Sequence, residues 1–180
     1  MQNTFFTSDT HFNHAKIIRP DYSNRPFKDV EEMNETLIYN WNSVVKKKDV
    51  IYHLGDFAWG QPEPFLSRLN GYKILIMGNH DRHSDGKLLR SGFREVYSLK
   101  EIKIDGIPTI LCHFPMYSWN KSHRGSFHLH GHIHENKIQY QWNRYNVGVD
   151  VNNFTPIHSD NILKIFLQQK EENNLTFDIF

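Results

Sequence analysis

The sequence carries five groups of residues whose types could do chemistry together: Asp9-Thr10-His11, Gly55-Asp56, Gly78-Asn79-His80-Asp81, His113 and Gly131-His132-Ile133-His134. Imidazoles, carboxylates and amide oxygens are ligands of divalent metals, and six of the 12 histidines fall between His113 and His134. Each group by itself has an ordinary explanation. Asp-x-His in a loop is most often a turn, and Asn-His-Asp a turn or helix cap, because Asn and Asp readily bond local backbone. Gly-His-x-His says more, since alternation along a strand sends both imidazoles to one face. The conjunction carries the weight. With glycine at about 7% of residues, Gly-Asn-His-Asp should arise by chance with probability on the order of 10⁻³, and Gly-His-x-His below roughly 10⁻².

The elements that must position these groups can be read from period and punctuation. Thr4 to Ser8 reads as a short strand ending at Asp9. Val50 to Leu54 and Lys73 to Met77 read as buried strands running into Gly55 and Gly78, and Ile107 to Cys112 as an apolar strand leading to His113. Val30, Met33, Leu37, Trp41 and Val44 recur at helical steps, so Val30 to Val45 is expected as a helix, with Asp29 and Glu32 as its capping box. Pro62, Pro64 and Gly71 bracket a short helix, and Ser84 to Arg90 reads as another. Further strands are expected at Arg94 to Ile104, Phe127 to Gly131, Lys137 to Gln141, Tyr145 to Val149, Ile162 to Leu167 and Leu175 to Phe180, with Asp105-Gly106 as a hairpin turn. There is no repeat or linker-like stretch, so residues 1–180 are expected to form one domain. A βαβ-like first half and a strand-rich second half point to two sheets flanked by helices. The chemical groups then fall where strands stop, which is where open α/β sheets place their sites.

In this order the residues resemble the calcineurin-like metallophosphoesterase superfamily, whose pattern is D-x-H, G-D, G-N-H-[DE], a lone H and G-H-x-H. The resemblance spans Phe5 to about Val149. It implies a four-layer α/β/β/α sandwich with two mixed β-sheets and two metals at the carboxyl ends of the strands, in the compact form without a capping domain. It implies Asp9, His11 and His134 on the first metal, Asp56 bridging both, and Asn79, His113 and His132 on the second. His80 is implied not as a ligand but as the group facing the leaving-group oxygen.

Two divalent metals about 3.5 to 4 Å apart activate a water and neutralise an anionic ester. The expected reaction is attack on phosphorus by a hydroxide shared between the metals, with His80 contacting phosphate and acting as general acid. The mixed donor set suits manganese, and also Fe, Zn, Co or Ni, better than Mg. One position departs from the family. Many members continue G-D-x-x-D-R, where the second Asp orients the catalytic His, and here Trp59 stands at that place. Asp81 is then the candidate to buttress His80, and Arg82 or Arg124 to clamp phosphate, with surface salt bridging as the stronger competing role. Phe114 to Ser126 is expected to loop over the rim, with Trp119, His123 and Arg124 offered to a nucleotide-like substrate or, equally, with its aromatics packed on the body, and Arg19 to Phe27 to form an opposite wall. His14 reads as pocket lining or a cap. His53 reads as a core histidine, and His128 and His130 as partners behind the ligands or as strand residues. Asn146 and Asp150 read as the site's far edge or a turn, and Cys112 as a core residue facing away from His113.

Composition sets the outer bounds. Apolar residues are 38% and charged residues 23%, with 13 Phe, 8 Tyr and 4 Trp, which excludes a disordered chain. No run approaches the ~20 apolar residues of a membrane span, and the first residues have no basic, apolar leader pattern. The single Cys112 excludes an internal disulfide and points to a reducing compartment, so a cytoplasmic protein is expected. With 21 basic and 20 acidic side chains, no long nucleic acid is expected as partner, since such binding rests on neutralised phosphates. A nuclease would need a basic groove, for which Arg19, Arg25, Lys121 and Arg124 are the available cations. The expected partner is a small phosphodiester, nucleotides and 2′,3′-cyclic nucleotides among them, with monoester or pyrophosphate hydrolysis as the alternative. A non-catalytic, protein-binding scaffold is the reading from another class, and the retained Asn79-His80 pair speaks against it.

Overall fold

The computed structural model describes residues 2–81, 85–136 and 142–173. Its strands are β1 (Thr4–Thr7), β2 (Val50–His53), β3 (Tyr72–Ile76), β4 (Glu95–Tyr97), β5 (Lys100–Ile104), β6 (Ile107–Leu111), β7 (Phe127–His130), β8 (Arg144–Asn146) and β9 (Ile157–His158). Its helices are α1 (Val30–Val44), α2 (Glu63–Leu66), α3 (Asp85–Ser91) and α4 (Ser159–Glu172). One sheet has the order β4-β3-β2-β1-β9 and the other β5-β6-β7-β8. Both are mixed: β9 is antiparallel to β1 and β5 to β6, while the other pairings are parallel. The fold is the α/β sandwich of two mixed sheets that the sequence leads one to expect.

Strands buried on both faces need apolar residues at successive positions. Phe5, Ile51 and Leu75 face a core shared with Met33, Leu37, Ile38 and Trp41 of α1. Their neighbours Phe6 and Ile76 point the other way, into a core shared with Leu111, Phe127 and Leu129 of the second sheet and with Ile162 and Phe166 of α4. Helix α1 starts where expected. The Asp29 carboxylate accepts from Glu32 N at 2.8 Å, and Glu32 in return accepts from Lys28 N at 2.7 Å, one residue earlier than the usual reciprocal partner. Asn34 on the buried face of α1 accepts from Asn13 N at 2.9 Å, tying the helix to the loop after His11.

Register then decides where the loops emerge. In the first sheet Thr7 lies beside His53 and His53 beside Leu75. In the second, Leu111 lies beside Leu129 and His130 beside Asn146. The two rims are stitched where Ser8 bridges to Gly148 and its carbonyl accepts from Val149 N at 3.1 Å. The carboxyl ends of β1, β2, β3, β6, β7 and β8 therefore converge on one place.

Several sequence expectations need correction. Ile162 to Leu167 is not a strand but the middle of α4, where Ile162 and Phe166, four apart, form the buried stripe. Arg94 to Ile104 is two strands, and the chain changes sheets between Tyr97 and Lys100. Cys112 lies just past the end of β6 and is half-buried rather than packed in the core. The strands expected at Lys137 to Gln141 and Leu175 to Phe180 lie outside the described residues. The Asp105-Gly106 hairpin is present, with both residues left-handed (φ 48° and 82°) as a two-residue turn requires. Among the described residues no helix is long and apolar enough to cross a membrane.

Candidate metal centre

The chemical side chains leave the strand ends from strained backbone. Asp9, His11, Asp56, His132 and His134 all have positive φ, between 47° and 73°. Non-glycine residues adopt that region only when the surroundings impose it, and such positions concentrate at functional sites. Glycines make room beside them. A Cβ on Gly131 would overlap Ser8 Oγ and Asp9 Oδ2. One on Gly55, itself at φ 95°, would come within 2.7 Å of the Gly78 backbone and of His113 Nδ1.

The result is two trios of donors. Ligand atoms of Asp9, His11 and His134 lie within 4.8 Å of one another, as do those of Asp56, His113 and His132. Asp56 stands between the trios, its Oδ2 3.5 Å from His11 Nε2 and 3.5 Å from His113 Nε2. Asn79 Oδ1 is 3.1 Å from His113 Nε2. The donor chemistry fits a cation. His113 Nδ1 lies 2.7 Å from the Leu54 carbonyl, which can only accept, so Nδ1 carries the proton of the neutral ring. Nε2 then presents a lone pair to two further acceptors, Asn79 Oδ1 and Asp56 Oδ2, with no proton between them. His11 Nε2 is buried without a hydrogen-bond partner. Buried acceptors left facing one another are costly, and divalent cations are what such a convergence accommodates.

The supporting groups are equally specific. His134 Nδ1 donates to Asp150 Oδ2 at 2.8 Å, which leaves its Nε2 free to face Asp9. Arg25 grips the same carboxylate, Nε to Oδ1 at 2.7 Å and Nη2 to Oδ2 at 2.9 Å. The guanidinium also donates to the carbonyls of Asp9 (2.6 Å) and Thr10 (2.9 Å). Burial alone would raise the Asp150 carboxyl, but His134 and Arg25 outweigh it and hold it low. Burial likewise opposes a charge on His134, and Asp150 and Asp9 together push the ring's pKa up. Burial raises Asp9 and, with Arg25 nearby, drives His11 far down. Arg25 is thus no phosphate-binding surface cation but a buried strut, 2% exposed.

His80 sits at the open side of the cluster. Its side chain is 32% exposed and its Nε2 is 4.0 Å from Asp56 Oδ2. Its backbone N donates to Asp56 Oδ1 at 2.8 Å. Asp81 does not buttress it. Three backbone amides claim that carboxylate: Asp56 N at 2.7 Å, Gly78 N at 2.8 Å and Phe57 N at 3.0 Å. Asp81 therefore locks the β2 and β3 loops together. The His80 ring is held by packing, 5.7 Å from the Trp59 ring and 5.6 Å from that of His11.

The residues expected to meet substrate go elsewhere. Trp119 is buried, its Nε1 donating to Ser126 Oγ at 3.0 Å, its ring 5.0 Å from His128 and under the Arg144 guanidinium. Phe127 and Leu129 point between the sheets, so His128 and His130 point outward, and the Phe114–Ser126 segment covers that outer face rather than the site. His123 and Arg124 are exposed on a short turn and do not line the cavity beside the cluster. Arg82 lies outside the described residues. Phe114 of that segment stays by the cluster, its ring 4.8 Å from His132. The cavity, about 580 Å³, is walled instead by His11, His80 and His134 and by His14, Lys16, Tyr22 and Trp59. His53 is the expected core histidine, bonded to Thr10 Oγ1 at 2.9 Å. Asp150, read from the sequence as the site's far edge or a turn, stands at that edge within the short turn Val149–Val151, whereas no local pattern marks Arg25 as its partner.

Two trios of candidate metal donors, with the Asp56 carboxylate between them, thus stand at the carboxyl rim of two mixed sheets. The chain matches the calcineurin-like phosphoesterase family model over residues 3–178 and belongs to that family. It is 37% identical to the uncharacterized protein MJ1445 of Methanocaldococcus jannaschii, over 94% of each chain. It is 30% identical to the gene 66 protein of Mycobacterium phage L5, over 77% of this chain and 80% of that one. The crystal structure of AQ665 from Aquifex aeolicus, a protein of unknown function, superposes with a TM-score of 0.75 at 29% identity, covering 92% of this chain and all of that one. Membership of that family supports hydrolase activity and implies divalent metal ions.

Proposed function

We propose that the chain is a metal-dependent phosphodiesterase acting on small phosphodiesters, with two divalent transition-metal ions and manganese the first to try. The observation that carries this reading is the Asp56 carboxylate set 3.5 Å from an imidazole of each trio. Asp9, His11 and His134 would hold one ion, Asn79, His113 and His132 the other, and Asp56 would serve both. Such a pair, when bound, activates water and offsets phosphate charge.

The chain's own groups do the rest. His80, 32% exposed at the cavity and tied through its backbone to Asp56, contacts the phosphate and gives a proton to the departing oxygen in this reading. Arg25 and Asp150 fix the His134 ring, and Asp81 fixes the loops that carry Asp56 and Asn79. A phosphomonoester brings a second negative charge that asks for more cations. Among the described residues lining the cavity, Lys16 is the one Lys or Arg, which favours the singly charged diester.

The test compares bis(4-nitrophenyl) phosphate with 4-nitrophenyl phosphate on stripped protein resupplied with Mn, Ni, Zn or Mg. Metal-dependent hydrolysis of the diester supports the reading, and hydrolysis of the monoester alone makes the chain a phosphomonoesterase. Silence on both with two metals bound favours a scaffold. His80→Ala should keep its metals and lose about 10²-fold or more in turnover on 2′,3′-cyclic AMP, whose alkoxide leaving group needs a proton. The loss should be smaller on the nitrophenyl ester.

A further inference from the structure

The cavity has walls that the proposed hydrolysis does not require. Behind it stand His11, His80 and His134, and in front of them a row of rings, Trp59, His14 and Tyr22. The Trp59 ring is 5.7 Å from His80 and 4.5 Å from His14, and Tyr22 meets His14 edge-on at 6.2 Å. Trp59 is 49% exposed and Tyr22 52%. The Trp59 backbone is fixed. Its N donates to the Phe12 carbonyl at 2.7 Å, next to a bridge between Phe12 and Ala58. It is therefore an open aromatic face on a fixed backbone, beside the proposed proton donor. None of the described residues lining the cavity is acidic, and Lys16 adds a positive charge. The volume, about 580 Å³, lies in the range that encloses a drug-sized ligand and exceeds the needs of a bare phosphate.

We propose that this cavity seats the base of a nucleotide phosphodiester against Trp59, with the phosphate at the cluster. The proposal rests on the phosphodiesterase reading above and names its substrate class. Every base has a π-face, so an aromatic wall recognises bases as a class. Asn13 and Ser23, also at the wall, bring polar groups for the base edge.

The experiment is calorimetric binding of AMP and of ribose 5-phosphate, which differ only by the base, to the metal-loaded protein. AMP should bind at least about fivefold more tightly, the low end of what one stacked base contributes. Trp59→Ala should bring AMP within about twofold of ribose 5-phosphate, and Trp59→Phe should keep most of the preference. Unchanged ribose 5-phosphate affinity in both variants shows that the cluster is intact. Equal affinities in the native protein, or a full AMP preference in Trp59→Ala, would overturn the base seat. Bis(4-nitrophenyl) phosphate hydrolysis on the same samples separates the two claims. Hydrolysis without AMP preference sinks the base seat and leaves the phosphodiesterase reading standing. AMP preference without hydrolysis keeps the seat and removes that reading.

Discussion

Asp150→Asn tests how the fold and the metal centre are joined. Asp150 takes two hydrogen bonds from Arg25, at 2.7 and 2.9 Å, and one from His134, at 2.8 Å. The Arg25 and Asp150 side chains are 0% and 5% exposed. Asparagine matches the shape but removes the charge, and its NH₂ must face a donor on one side or the other. Removing one partner of a buried ion pair costs about 3–5 kcal/mol. Arg25 keeps its bonds to the carbonyls of Asp9 and Thr10, so the lower end applies, about 3 kcal/mol. At a denaturant dependence of about 2 kcal/mol per molar urea, the midpoint should fall by about 1.5 M. The second consequence is local. A His134 ring no longer held at Nδ1 loses its aim at the proposed metal, and such losses cost about 10- to 100-fold in affinity. A chelator titration should therefore remove one ion per chain well before the other. A midpoint within about 0.3 M of the native protein, with both ions leaving at native chelator concentrations, would refute the coupling.

Acid should destabilise the fold through histidines that take no part in the proposed chemistry. Burial lowers His53 to about 3 and His128 to about 4, against an ordinary 6.5. The stability each contributes is complete above pH 6.5 and is lost as the pH falls toward those values, by about 2 kcal/mol each at pH 5. Imidazole proton shifts showing either ring titrating near 6.5 would contradict this. Gly131→Ala, whose new Cβ would meet Ser8 Oγ and Asp9 Oδ2, should destabilise by about 1–3 kcal/mol and deplete metal, and a variant with native metal content would show that the rim yields more than expected.

The residues proposed as ligands were legible because each is a rare type standing where a strand stops, and because their order matches the pattern of a known family. Asp9 and Asp56 follow strands that pair in parallel, whereas His132 follows a strand of the other sheet and reaches them through the packing of the two sheets. Helix α4 was misread for a physical reason: its apolar run, Ile162-Leu163-Lys164-Ile165-Phe166-Leu167, is dense enough to satisfy both a strand and a helix. The deciding signals lay at its start, where His158 caps Asp160 N at 3.1 Å, and in the four-residue step between Ile162 and Phe166. Trp119 was placed at the rim because a loop aromatic beside a site invites that role. What turns it inward is remote in sequence, the Arg144 guanidinium of β8 and the buried His128 beneath it.

Asp81 and Arg25 mark a deeper limit. Both carry charges that a reader of motifs assigns to substrate or to a neighbouring catalytic group. Yet the strained turns at Asp9 and Asp56 leave amides and carbonyls that no strand can satisfy, and these compete for the same charges. A buried unpaired backbone group costs as much as a lost hydrogen bond, so three converging amides outbid one imidazole for Asp81. Two carbonyls and the Asp150 carboxylate likewise draw Arg25 inward. Every sequence has backbone groups, so such partners leave no motif. They become visible only once the turns that free them are known, and those turns are the ones that hold the proposed ligands in place.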